Sequence, residues 1–308
     1  MNPVDKAKGV YVIAPTPFHA DGKIDDASID RMTDFFLKAG VDGITVLGQL
    51  GEAPKMTHAE SVGIVQRVLA RAKVPIVVGV SAPGFAAMRA LTQDVMAMGA
   101  SGVMIAPPNT LRTDDSIVQY YKQASEAIGV DVPFVIQDYP LTFSVQMTPA
   151  VIRRIAMENA ACWFLKHEDW PGLDKISQLR AWEKEGSLRC LPILVGNNGL
   201  FLDFEMERGA DGANTGYCFP DMLVDVVRMS KAGKRDEAHD LFDAHLPLIR
   251  YEQQPGPGMA VRKYVMMRRG IIASDTLRKP GGALSPEARG EVDYLMARIA
   301  RVDPRARV

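Results

Sequence analysis

The segment "WFLKHEDW", Trp163 to Trp170, begins as an apolar run and then sets Lys166, His167, Glu168 and Asp169 side by side. Lysine is rarely buried unless paired, so an amine closing an apolar run is exposed, paired or used. If the run is a strand, Phe164, Lys166 and Glu168 share one side and Leu165 and His167 the other. An amine held among apolar groups loses hydration in its charged form, which favours the neutral nucleophile. Neutral amines attack carbonyls, and the resulting iminium is an electron sink for making or breaking a neighbouring carbon–carbon or carbon–oxygen bond. The alternative is a lysine that runs along the rim to solvent, or one that pairs with Glu168 or Asp169.

What positions such a lysine is legible in two interleaved patterns. "AGVDGITVLG" (39–48), "MGASGVMIAP" (98–107) and "RGADGANTGY" (208–217) each read as a helix end, a glycine stop, a second glycine and a strand. "VPIVVGV" (74–80), "VPFVIQDYP" (132–140) and "LPILVGNN" (191–198) open with proline at a strand entrance. With "GVYVIAP" (9–15) and "ACWFLK" (161–166) they make eight short apolar strands separated by amphipathic segments such as 28–40 and 58–72. Strands apolar on both faces, alternating with helices, predict an α/β fold, a (β/α)8 TIM barrel. A doubly wound open sheet lacks support, since no G-x-G-x-x-G follows the first strand. Beyond about residue 219 only helical patterns follow. The expected organisation is a barrel over 1–220 and a C-terminal helical extension over 221–308, packed on it as one structural unit.

Composition narrows the function. The 308 residues carry 36 Lys plus Arg against 37 Asp plus Glu, so no basic field exists to hold nucleic acid or an acidic membrane surface. A small-molecule partner is the expectation. Cys162, Cys190 and Cys218 are odd in number and widely spaced, which suits a reducing, cytoplasmic compartment and argues against a disulfide framework or structural zinc. The opening fifteen residues contain no long apolar run, so neither a leader nor a membrane span is expected. His19, His58, His239 and His245 show no metal-ligand grouping and read as surface or satisfied helix residues. "GVSAPG" (79–84) misses the nucleophile elbow by one residue.

In a barrel of this kind the active site lies at the C-terminal strand ends. Those ends read Thr16, "GQLGE" (48–52), Ser81, "PPNT" (107–110), "QDYP" (137–140), "KHED" (166–169), "GNNG" (196–199) and "NTGY" (214–217), with Lys166 the only lysine at a strand tip. Gly196, Asn197, Asn198 and Asn214 are the expected pocket lining.

"GQLGEAPKMTHAE" after strand two, a Tyr-Pro closing strand five and a lysine closing strand six resemble the dihydrodipicolinate synthase and N-acetylneuraminate lyase family of class I aldolases. The resemblance runs from "APTPF" (14–18) through "KPGGALSP", nearly the whole chain. It implies a lyase that binds pyruvate or a related 2-oxo acid to Lys166 as a Schiff base, with no metal or organic cofactor, and an assembly that is commonly a tetramer. It also implies that the turn Gly48, Gln49, Leu50, Gly51, continued by Glu52, holds the substrate carboxylate on its N–H groups.

The departures bear on the second substrate. Gln49 and Leu50 replace two hydroxyl residues, one of which feeds the family's proton relay. Gln137 occupies the register of the family's strand-five tyrosine, while Tyr139 lies two residues later on the same expected side. A phenol transfers protons and an amide does not, so Tyr139 is the expected acid/base, with Glu168 the other candidate and Gln137 a binding group. Thr142 stands where dihydrodipicolinate synthase itself carries an arginine for its aldehyde substrate, which implies a divergent member with another partner substrate. His167 and Asp169 read as a solvated loop. Two other readings compete: a relative that binds 2-oxo acids without turnover, and a barrel that binds a phosphorylated ligand at the strand seven and eight loops.

Overall fold

The computed structural model describes residues 7–308; residues 1–6 of the segment read as carrying no leader lie outside the described residues. Among the described residues, eight parallel strands close into a barrel in chain order, β1 beside β8. They are β1 (Gly9–Ile13), β2 (Gly43–Val46), β3 (Ile76–Gly79), β4 (Gly102–Ile105), β5 (Phe134–Asp138), β6 (Cys162–His167), β7 (Ile193–Val195) and β8 (Gly212–Thr215). The intervening helices are α1 (Asp26–Ala39), α2 (His58–Leu69), α3 (Phe85–Ala97), α4 (Asp114–Ile128), α5 (Pro140–Phe143), α6 (Pro149–Glu158), α7 (Leu173–Lys184), α8 (Leu202–Glu207) and α9 (Pro220–Lys231). Three more helices follow: α10 (Arg235–Glu252), α11 (Gly258–Arg268) and α12 (Pro286–Ile299).

The glycine pairs explain themselves in this geometry. Gly40 ends α1 in the left-handed region, φ 79°, its N–H capping the Leu37 carbonyl. The second glycine of each pair opens a strand where a neighbour comes too close for a side chain. A Cβ on Gly43 would lie 2.3 Å from the Tyr11 ring, and one on Gly212 would lie 1.9 Å from the Gly9 carbonyl oxygen. Local capping agrees with the pattern: Thr57 and Glu60 form a capping box at the start of α2.

The barrel interior is filled by Tyr11, Val77, Met104, Val135, Phe164 and Leu194, while alternate residues such as Val10, Val78, Ile136 and Leu165 pack outward on the helices. Towards the C-terminal strand ends the interior turns polar, with Thr45, Gln137, Lys166 and Asn214 all buried. Helices α10 and α11 fold back over this end. Glu252, the last residue of α10, accepts a hydrogen bond from the Cys218 N–H just past β8. The extension therefore forms part of the wall of the barrel mouth. No helix among the described residues is long and apolar enough to cross a membrane.

Candidate active site

Lys166 is the fifth residue of β6 and points into the barrel mouth, only 4 % exposed. Its Nζ is 2.9 Å from Glu168 Oε2. The alternation expected along the strand places both on one side, and the structure brings them into an ion pair. Glu168 is held on both oxygens: Gln137 Nε2 donates to Oε2 at 2.9 Å and the Asn197 N–H donates to Oε1 at 3.2 Å. Gly196 gives the carboxylate its room, since a Cβ there would lie 2.3 Å from Glu168 Cγ. The neighbouring strands β5 and β7 thus fix one acid beside one amine. In such a pair the carboxylate can accept the lysine's proton and release the neutral nucleophile.

The turn after β2 is a 3-10 turn over Gln49–Gly51. The Gly51 and Glu52 N–H groups are used inside it, on the Gly48 and Gln49 carbonyls at 2.9 and 3.0 Å. The Gln49 and Leu50 N–H groups make no backbone hydrogen bond among the described residues. Leu47 and Glu52 flank the turn with φ 57° and 56°, a left-handed conformation that non-glycine residues adopt at a cost. Thr16 Oγ1 donates to the Gly51 carbonyl at 2.6 Å. Glu52 does not face the mouth. Its carboxylate is buried against Lys263 Nζ at 2.5 Å, Lys55 Nζ at 2.7 Å and the Arg278 N–H at 3.1 Å, so it anchors the turn from behind.

Over the mouth lies a cavity of about 550 Å³, lined among others by Gln49, Leu50, Tyr139, Asn197, Asn198 and Arg262. Lys166 lies beneath this lining, joined to it through Glu168 and Asn197. Strand β5 ends at Asp138, so Tyr139 leaves the strand alternation and instead precedes the short helix α5. Desolvation, then the nearby Glu168 carboxylate, raises its phenol above the ordinary range, with the polar groups of Thr142 and Gln253 opposing the rise. Tyr139 thus occupies the cavity wall, and the group in contact with Lys166 is Glu168. Asn197 accepts a hydrogen bond from Gln253, and Asn198 accepts one from Arg262 Nη2 at 2.6 Å. Asn214 lies deeper, fully buried, with its Nδ2 donating to Thr45 Oγ1 at 2.9 Å.

His167 and Asp169 are not a solvated loop. His167 is the last residue of β6 and is fully buried on the outer face of the barrel, with Nδ1 3.5 Å from Asp138 Oδ2. Lys175 Nζ bridges Asp138 and Asp169 at 2.8 and 2.7 Å and also reaches the Met147 carbonyl at 2.6 Å. The loop after β6 is therefore pinned by charge from the α7 side, which holds Glu168 in place from behind. Nothing in the sequence spacing marked Lys175, because its partners come from β5 and the loop, 37 residues away at Asp138. Arg262, Glu252 and Gln253 were missed likewise: helical periodicity shows that α10 and α11 are helices but not which strand ends they meet.

Of the histidines read as surface or satisfied residues, His58 pairs with Asp94, His239 with Glu207, and the buried His245 sits between Tyr217 and Asp303. Among the described residues no three His, Cys, Asp or Glu side chains are grouped to hold a metal ion.

The dihydrodipicolinate synthetase family model matches residues 6–299. An L-2-keto-3-deoxyarabonate dehydratase of Azospirillum brasilense is 30 % identical over 303 residues, covering 96 % of this chain and 95 % of that protein. A probable 2-dehydro-3-deoxy-D-pentonate aldolase, YjhH of Escherichia coli, is 25 % identical over 298 residues, covering 94 % and 97 %. The crystal structure of a dihydrodipicolinate synthase from Rhodopseudomonas palustris superposes with a TM-score of 0.95 at 64 % identity, covering 97 % of this chain and 99 % of that one. With an inward lysine near the end of β6, a glycine-bounded 3-10 turn after β2 and these matches over nearly its whole length, the chain belongs to the dihydrodipicolinate synthetase family, class I lyases acting on pyruvate-type 2-oxo acids.

Proposed function

We propose that this chain is a dehydratase for a 3-deoxy-2-oxo acid bearing a hydroxyl at C4, with Lys166 as the Schiff-base residue and Glu168 as its proton carrier. The observation that carries the reading is the 2.9 Å contact between Lys166 Nζ and Glu168 Oε2. The amine passes a proton to Glu168 and attacks the C2 carbonyl, and the carbinolamine loses water to give the iminium. C3 is bonded to C2, so an oxygen fixed beside the nitrogen reaches the C3 proton. Removing that proton gives the enamine, which expels the C4 hydroxyl as the protonated Glu168 or Tyr139 returns a proton to it. Aldol cleavage instead needs a base at the C4 hydroxyl, one bond further out. The substrate carboxylate is assigned to the Gln49 and Leu50 N–H groups, whose backbone donors are otherwise unused in the turn.

Thr142 in place of an arginine supports a partner substrate other than that of dihydrodipicolinate synthase, and the name of the Azospirillum relative supports dehydration of a sugar-derived acid. We further assign the protein to the cytoplasm as a homotetramer, on its family membership, and treat 221–308 as an extension working with the 1–220 barrel, since Arg262 and Gln253 reach the cavity. The test is borohydride reduction with pyruvate and mass mapping, which labels Lys166. A label on another lysine, or none, removes the Schiff-base assignment and favours a binding relative without turnover. Product analysis with a 4-hydroxy-2-oxo acid separates a dehydrated semialdehyde or oxo acid from pyruvate plus aldehyde.

A further inference from the structure

We infer that Arg262, supplied by the C-terminal extension, selects the substrate by donating to a neutral hydroxyl oxygen at the end remote from C2. The inference rests on the Schiff-base reading above, and three features of the guanidinium carry it.

Arg262 is 1 % exposed, yet it borders the cavity over the barrel mouth. Nε donates to Glu252 Oε1 at 2.6 Å, and Nη2 donates to Asn198 Oδ1 at 2.6 Å and the Gly216 carbonyl at 2.8 Å. Nη1 alone has no hydrogen-bond partner among the described residues. A buried donor without an acceptor is destabilising and calls for an explanation. A ligand oxygen is one that fits the location.

Space for this arginine is built into β8's end. A Cβ on Gly216 would lie 2.2 Å from Nη1 and 2.7 Å from Leu50 Cδ1. The unpartnered nitrogen therefore sits beside Leu50, whose own N–H is one of the two donors assigned to the substrate carboxylate. Leu50 also lines the cavity, and rotation of its half-buried side chain is the movement that brings a ligand oxygen onto Nη1.

The charge of the site decides what kind of oxygen suits it. The Glu252 carboxylate forms an ion pair with the guanidinium and is itself buried, so the pair is close to neutral. An arginine offered to a second carboxylate would be left free of such a partner. A neutralised guanidinium with one spare N–H instead suits a hydroxyl, which can in turn donate to the Asn197 or Asn198 side-chain oxygen in the same wall. The ligand class is thus a polyhydroxy 2-oxo acid rather than a dicarboxylate.

The experiment compares three acids in borohydride trapping at Lys166: 4,5-dihydroxy-2-oxopentanoate, its 5-deoxy counterpart 4-hydroxy-2-oxopentanoate, and the dicarboxylate 4-hydroxy-2-oxoglutarate. In the wild-type protein half-maximal labelling by the dihydroxy acid is expected at a concentration about tenfold lower than by the 5-deoxy acid, the scale of one hydrogen bond from a charged donor. Arg262→Lys keeps a cation for Glu252 but removes Nη1, and Gly216→Ala pushes the guanidinium aside from the opposite direction. In either variant the ratio should fall below about threefold. A purely structural Arg262 would lower stability without changing the ratio. Equal labelling by the two pentanoates, preference for the dicarboxylate, or a ratio preserved in both variants overturns the assignment of Arg262. Absence of any pyruvate label at Lys166 is a different failure, that of the Schiff-base reading, and discrimination is then read from the thermal shift each acid produces in the wild-type protein.

Discussion

Glu168→Gln isolates the proton-carrying step. The substitution keeps the size of a side chain that is 5 % exposed and replaces one of two acceptor oxygens with an amide NH2. The wild-type carboxylate serves three donors, Lys166 Nζ, Gln137 Nε2 and the Asn197 N–H. The amide oxygen can keep Asn197 or Gln137 but not all three, so one or two hydrogen bonds are lost, about 1–3 kcal/mol and a melting point a few degrees lower. The chemical consequence is larger. Pyruvate bound as an iminium exchanges its methyl protons with D2O through the enamine, and that exchange needs a base at C3 but no second substrate. Loss of the base should slow exchange by roughly 10²–10⁴-fold, the usual worth of general acid–base catalysis. Imine formation, trapped by borohydride, should persist within about tenfold, because the amine itself is untouched. Proton NMR of the methyl signal gives the first rate and mass spectrometry the second. Exchange in Glu168→Gln within threefold of the wild-type rate would refute the reasoning and return the relay to Tyr139 or to water.

Tyr139→Phe should slow turnover of a C4-hydroxy substrate by about 10²-fold in single-turnover assays while affecting pyruvate exchange much less, because the proposed mechanism gives the C3 proton to Glu168 and the C4 hydroxyl to Tyr139. Lys166→Ala should lose all labelling and turnover yet give a cooperative melt, since the truncation leaves Glu168 with the Gln137 and Asn197 donors. Pyruvate with aspartate semialdehyde should condense poorly, as Thr142 offers no bidentate cation; efficient turnover measured by coupled reduction of the product would contradict this. Lys263, buried behind the turn after β2, has its amine lowered to about 8 by desolvation, the effect outweighing its contact with Glu52. A folded value below the unfolded one means the unfolded chain binds more protons between about pH 8 and 10.5. Stability from this group therefore rises with pH in that window, by roughly 3 kcal/mol at most. Denaturant unfolding at pH 8 and pH 10 should show a steeper rise in the wild type than in Lys263→Met, and parallel curves would sink the claim.

The parts of this site that were legible in the sequence share one property: they depend on local periodicity. Strand alternation put Phe164, Lys166 and Glu168 on one face, and the structure places Phe164 in the interior cluster and the other two in contact above it. The glycine pairs announced both the helix stop and the strand entrance. Tyr139 lies one residue past the strand, since Asp138 ends it and Pro140 starts a helix, yet it lines the cavity over the mouth. The sequence also left His167 and Asp169 as loop residues, because their partners are tertiary: Asp138 of β5 lies beside His167, and Lys175 of α7 pairs with Asp169. Arg262 was illegible for a stronger reason. Its significance lies in where α11 meets β8 and in the missing Cβ of Gly216, a tertiary fact with no local signature.

The departures from the family pattern become mutually consistent once these contacts are considered together. A tyrosine relay needs a phenol on β5 facing the lysine, and here that register holds Gln137, which cannot carry a proton. Gln137 donates instead to Glu168 Oε2, the oxygen that faces Lys166. In the proposed mechanism Glu168, one residue past the end of β6 and two on from Lys166, takes the place of that acid, held there by Gln137 and the Asn197 N–H. On that reading the Gln49 and Leu50 side chains lie outside the proposed proton path, and their N–H groups are the donors assigned to the carboxylate. Leu50 is then free to become the apolar cover beside Arg262. A double-mutant cycle tests this coupling directly. If Gln137 acts only by orienting Glu168, Gln137→Leu should slow pyruvate exchange by about tenfold in the wild-type background and scarcely at all in Glu168→Gln, because the group it orients is already gone. Additive effects of the two substitutions would show that Gln137 contacts the substrate independently and that the β5 position has kept a role of its own.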